Sequence, residues 1–237
     1  MAPSTDPIAF VCAMPMEVVP IAKRLGLRKQ RLGDLTVHSG TLAGKGVVAI
    51  VTGMGPELAK RGTERLLDAI SVERVVVVGI TGALENETPI GTLIVPEVVV
   101  DDATGAEHKP VPLGDFPAKG KMWTADHLIT GPDQLQALRD AGVVSLDMET
   151  AAIAEVCERR GVPWSVFRAI SDRASDGAIS EEEFQLSNMD GTPRPGAAVR
   201  YLVLHPARIP VLIKLARGAR LAARRAADGA IRACVGT

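Results

Sequence analysis

At 237 residues, with 46% hydrophobic content and 27 Lys and Arg against 28 Asp and Glu, the chain is long enough to enclose a large core, and its net charge of -1 gives no overall field to gather nucleic acid or an anionic membrane. Cys12, Cys157 and Cys234 form an odd set without CxxC spacing, which argues against a disulfide framework or zinc site and for a reducing compartment. The opening MAPSTDP lacks a basic stretch followed by an apolar core, so a cytoplasmic protein of one domain over 1–237, acting on a small molecule, is expected.

Taken in chain order, β-branched runs predict strands at Ile8 to Val11, Val47 to Val51, Val75 to Val78, Leu93 to Val100, Val143 to Leu146 and Trp164 to Ile170. Several are apolar at consecutive positions, as strands covered on both faces must be. Helical patterns fall between them at Met16 to Leu25, Glu57 to Ile70, Pro132 to Ala141 and Glu149 to Arg160. This alternation implies an α/β fold, a three-layer αβα sandwich about a mixed, largely parallel twisted sheet. Asp101 to Gly120 and Ser175 to Pro195 lack apolar periodicity and read as surface loops. The second carries Glu181, Glu182, Glu183, Asn188 and Asp190, then Gly191, Pro193, Pro195 and Gly196; it suits either a mobile segment beside an active site or a solvated connection.

A C-terminal helix is predicted over 207–233, with Leu212, Leu215, Ala219 and Ala222 opposite Lys214, Arg217, Arg220, Arg224 and Arg225. A basic amphipathic helix can lie on an acidic membrane. Its apolar side is Ala-rich without Trp or Phe, however, so packing on its own domain or a partner subunit is the preferred reading.

Residues suited to chemistry gather in four segments, each expected at the carboxyl end of a strand, where open α/β sheets place their sites. In AMPMEV, Glu17 sits in the first turn of a helix, where the dipole favours a carboxylate; an ordinary helix-terminal acid is the alternative, and Met14 reads as core. In TGMGPELA, Gly53 and Gly55 lead from strand to helix and could turn amides toward a polar ligand, although neither a dinucleotide fingerprint nor a P-loop is present. GITGAL, with Ile80, Thr81 and Gly82, repeats that logic after Val75 to Val78. The fourth stretch, SLDMETAAIAEVC followed by VPWSVFRAISDRASD, places Asp147, Glu149, Arg168 and Asp172 at strand ends in one expected βαβ unit. Arg168 interrupts an apolar strand, and such a charge must be paired or face a polar site. A structural Arg168 to Glu149 ion pair is the alternative to a functional one.

In order and spacing, AMPMEV, TGMG, GITGAL, DMETAAIA and RAISD resemble the motifs of the nucleoside phosphorylase and nucleosidase superfamily, in particular its methylthioadenosine and S-adenosylhomocysteine nucleosidase branch. The resemblance implies N-glycosidic cleavage of a purine nucleoside without cofactor or metal, by a homodimer or higher homo-oligomer. Carried over residue by residue, it implies that Glu17, Glu149 and Arg168 surround the attacking water, that Met148 and Glu149 contact the ribose, and that Asp172 serves the base. Adenine leaves poorly until its N7 is protonated or hydrogen bonded, so an acid is needed on that side while the other carboxylates stay ionised. Gly53, Ile80, Thr81, Gly82, Leu128 and Ser171 complete the expected substrate contacts, with Ser171 read as a turn residue and not a nucleophile.

The chain also departs from the family pattern. Ile80 stands where a serine is common, and Leu128, in ADHLIT, stands where a base-stacking aromatic is expected. His205, Pro206 and Pro210 form an HPxxxP segment that, with the Ile-Thr-Gly loop, resembles hopanoid-linked members acting on an adenosylated lipid. Three rivals therefore stand beside the nucleosidase: a phosphorylase, an enzyme for an adenosylated lipid, and a non-catalytic nucleoside binder. Glu17 would repel phosphate, which favours water. His38, His108, His127 and His205 show no metal spacing, and Cys12 and Cys157 read as core.

Overall fold

The structure is a computed structural model that describes residues 6–173, 188, 192 and 194–236. β1 (Ile8–Cys12) leads into α1 (Pro15–Leu25), and β2 (Arg28–Leu32) and β3 (Leu35–Leu42) form a hairpin that feeds β4 (Lys45–Val51) and α2 (Pro56–Ala69). β5 (Arg74–Ala83) is followed by β6 (Leu93–Ile94), β7 (Val98–Asp101), β8 (Glu107–His108) and β9 (Lys121–Thr124). After α3 (Pro132–Asp140), β10 (Val143–Asp147), α4 (Thr150–Arg159) and β11 (Trp164–Arg173) come α5 (Pro195–Leu204), a 3-10 turn over Pro206–Arg208 and α6 (Ile209–Val235).

Both faces of the central strands are covered, which is why their sequences are uninterrupted apolar runs. Ile8, Phe10 and Cys12 of β1 pack with Val18 and Ile21 of α1 and with Ala222, Ala226 and Ala230 of α6. Ala9 and Val11 face the other way, onto a core shared with Ala59 and Leu66 of α2 and Ile153 and Ala154 of α4. The result is the expected three-layer αβα sandwich. The sheet is mixed: β4, β1, β5 and β11 run parallel, β7, β9 and β10 run parallel to one another, and β10 meets β5 antiparallel.

Several expectations are revised by this topology. The strand expected over Leu93 to Val100 is two strands, interrupted at Pro96, which cannot donate to a ladder. β6 joins β11 while β7 joins β9. β5 continues through Gly79 to Ala83, so GITGAL is largely strand rather than a loop after one. β10, α4 and β11 are not a βαβ unit, because β10 and β11 are antiparallel and parallel partners of β5, respectively. The loop expected at Asp101 to Gly120 contains only the two-residue β8, and most of the one expected at Ser175 to Pro195 lies outside the described residues.

The C-terminal helix runs over Ile209–Val235, and its C-terminal half is the buried one, from Ala222 to Cys234. Small side chains let it lie close to the sheet: a Cβ at Gly229 would come within 2.9 Å of Leu93. Among the described residues, no helix is long and apolar enough to cross a membrane.

Candidate active site

The ends of several strands and the starts of α1 and α4 converge on a cavity of 360 Å³. Its polar members include Glu17, Asp147, Glu149, Arg168, Ser171 and Asp172, and its apolar walls include Met14, Met54, Leu128, Ile129, Leu135 and Met148.

Glu17 lies in the first turn of α1 and is fully buried. One carboxylate oxygen accepts the N–H groups of Ala13 and Met14, each at 2.8 Å, and the other accepts the Ile80 N–H at 2.9 Å. The site therefore uses the ability of a helix N-terminus to hold an anion, yet burial still pushes the Glu17 carboxyl up, against the pull of Arg168 and the backbone donors. Arg168 projects from β11 among three carboxylates: Asp147 at 2.6 Å, Glu149 at 3.1 Å and Glu17 at 3.8 Å. It also donates to the Ile80 carbonyl at 3.0 Å and to the Thr150 hydroxyl. Burial alone would lower the arginine pKa; the carboxylates outweigh it and raise it, keeping the group charged.

Glu149 is the N-cap of α4. Its second oxygen accepts the Gly55 N–H at 2.9 Å. Burial is the main influence that pushes its pKa up to about 7; Arg168 opposes, and the neighbouring charges of Asp147 and Glu17 add to it. Asp147, at the end of β10, accepts the Thr124 hydroxyl at 2.6 Å and the N–H and hydroxyl of Thr150. Thr124 comes from β9, which the sequence reading did not predict, and the one available signal was the alternation of Lys121, Met122, Trp123 and Thr124.

Asp172 is aimed by an irregularity in β11. Ile170 pairs with Thr81 and Asp172 with Gly82, leaving Ser171 as an extra residue, and such a bulge redirects the side chains that follow. The Ser171 hydroxyl reaches Asp172 and, at 3.3 Å, the Thr81 carbonyl. Asp172 stands close to Gly82, where an added Cβ would lie 3.5 Å from its carboxylate.

The remaining expected contacts divide. Met148, Leu128, Ile80, Thr81 and Gly82 line the cavity. The Ile80 N–H is committed to Glu17, however, and the Thr81 hydroxyl to the Leu146 carbonyl at 2.7 Å. Gly53 does not line the cavity; its N–H donates to the Ala13 carbonyl at 3.0 Å. The expected amide cradle at Gly53 and Gly55 is thus occupied by protein groups. Met14, read as core, lines the cavity, whereas Cys12 and Cys157 are buried thiols, with burial pushing Cys157 up to about 12. Among the described residues, no cluster of three or more His, Cys, Asp or Glu is arranged to hold a metal ion.

The phosphorylase superfamily model matches residues 7–124 and 113–203. The chain belongs to this superfamily. Its relatives include the 5'-methylthioadenosine/S-adenosylhomocysteine nucleosidases of Chromohalobacter salexigens, 30% identical over 75% of this chain and 88% of the relative, and of Marinomonas sp., 27% identical over 75% and 90%. The S-adenosylhomocysteine nucleosidase of Streptococcus pyogenes, solved with 5-methylthiotubericidin, shares the fold with a TM-score of 0.72 at 18% identity, covering 99% of this chain and 98% of that one. In this superfamily member, all five resemblance motifs reach the walls of the cavity or the bonds that brace it.

Proposed function

We propose that the chain hydrolyses the N-glycosidic bond of an adenosine-type purine nucleoside, of the methylthioadenosine or S-adenosylhomocysteine kind, releasing adenine without a cofactor. The observation that carries this reading is the ring of three buried carboxylates on Arg168. A guanidinium so occupied has little left for a phosphate, and a net negative cluster repels that anion while tolerating water and a developing cation.

In this reading, Glu17 and Glu149, braced by Arg168, orient the water that attacks C1'. As the C1'–N9 bond breaks, positive charge grows on the ribose beside their carboxylates, and Met148 packs on the sugar. Asp172, held by Ser171, delivers a proton to N7, so that adenine leaves neutral. The attacking water loses its proton to the carboxylate pair, and ribose carrying its 5' group is released with a hydroxyl at C1'. The apolar walls from Leu128, Ile129 and Leu135 take the uncharged parts of the substrate. The enzyme acts as a homodimer or higher oligomer, as the family resemblance implies.

The test is base release from methylthioadenosine, S-adenosylhomocysteine, inosine and a bulkier adenosylated compound, with and without phosphate, with the sugar product identified. Adenine and a free sugar at a phosphate-independent rate are expected, and the rate order identifies the 5' group. A sugar 1-phosphate formed only with phosphate would make the chain a phosphorylase, and tight nucleoside binding without turnover would make it a binder.

A further inference from the structure

The last two helices carry a surface that the nucleosidase reading does not use. Their sequence from Thr192 to Ala227 contains Lys214 and seven arginines and no Asp or Glu. At the corner where α5 ends and α6 begins, apolar side chains face outward: Val203 is 73% exposed, Leu204 62%, Ile209 38% and Ile213 46%. Ile209, Ile213 and Arg217 are spaced four apart and share one helical face. This is a separate surface from the Ala-rich stripe of Ala222, Ala226 and Ala230, which packs on the sheet. The lack of an aromatic anchor on that stripe therefore has no bearing on the outward face.

We propose that the α5–α6 corner docks peripherally on an anionic lipid bilayer, with Val203, Leu204, Ile209 and Ile213 entering the interfacial layer and the flanking cations meeting lipid phosphates. Charge selects this occupant. A twofold contact with a second copy would set the same patch against itself and bring like cations together. A bilayer offers both required partners, an apolar layer and a sheet of negative charge, and needs no spanning segment. Gly218 of α6 lies against the bulge that aims Asp172, with an added Cβ only 2.5 Å from the Ser171 carbonyl. The docking surface and the cavity therefore share one helix.

The experiment is cosedimentation of the full chain with vesicles of phosphatidylcholine alone or with added phosphatidylglycerol. Binding is expected only to the anionic vesicles and weakens as salt rises, because exposed charges are screened. Arg217→Glu with Arg220→Glu should reduce partitioning by about tenfold or more, and Val203→Asp with Leu204→Asp should reduce it comparably. Both variants keep the hydrolysis rate on soluble methylthioadenosine and the circular dichroism of the parent, which separates lost docking from lost folding. Failure of the parent to bind anionic vesicles overturns the proposal. So does equal binding by both variants, or self-association through this face without vesicle binding, or capture of an acidic protein in place of lipid.

Discussion

Asp172 and Glu149 are both carboxylates at strand ends, and their surroundings prepare them for different work. The Ser171 hydroxyl reaches Asp172, and Glu149 is tied to Arg168 and to the Gly55 amide. If Asp172 protonates the leaving base, Asp172→Asn lowers kcat by about 100-fold or more with a much smaller change in KM, since the proton is needed mainly in the transition state. Steady-state kinetics on methylthioadenosine checks this, and an unchanged kcat would remove Asp172 from its role. If Glu149 works as an anion, with burial pushing its carboxyl up to about 7, the rate falls as pH drops through that value. The charge of Asp147 contributes to that raised value. Asp147→Asn keeps the side-chain shape and removes the charge, so the acidic limb of the rate profile should move to lower pH. A limb that stays in place would mean another group controls it.

Among the elements, β5 is the hinge of the site, because it pairs with β1 and β11 along its length and with β10 at its end. Gly79 lies where Glu17 and Arg168 cross the strand: a Cβ there would stand 2.4 Å from the Glu17 carboxylate and 2.6 Å from the guanidinium. Gly79→Ala should therefore separate the pair, costing about 1 to 3 kcal/mol of stability and most of the activity. Denaturant unfolding and an assay on the same preparation read both effects, and a fully active, equally stable variant would show that the strand yields. The positions of the long central strands and of α1 to α4 were legible in the sequence, since burial on both faces or along one stripe leaves a plain apolar pattern, but the polar and glycine-containing ends of β5 and β11 were not. The β2 and β3 hairpin was not, because β2 is almost wholly exposed and its sequence, Arg28 to Leu32, is dominated by charge.

Across the whole molecule, α6 closes the core and bears on the bulge at Ser171. Gly218→Ala places a methyl group against the Ser171 carbonyl, where only a shift of helix or strand can make room. A loss of about 1 to 3 kcal/mol is expected, with a fall in kcat as the Asp172 carboxyl is displaced. Thermal unfolding and kinetics check it, and a fall in stability with kcat unchanged would show that helix and bulge move independently.

By itself the sequence determined the α/β class, the three layers and the charged groups, Arg168 above all, that interrupt apolar stretches, because buried apolar runs and charges that break them are local signals. Only the tertiary structure decided that Asp147, Thr124 and Thr150 brace the guanidinium, that the Gly53 and Gly55 amides are already occupied, and that Asp172 is aimed by a bulge. Those facts depend on which strands become neighbours. β10 reaches β5 antiparallel and β11 reaches it parallel, and strand direction follows from the packing of whole layers, which no local pattern of residues records.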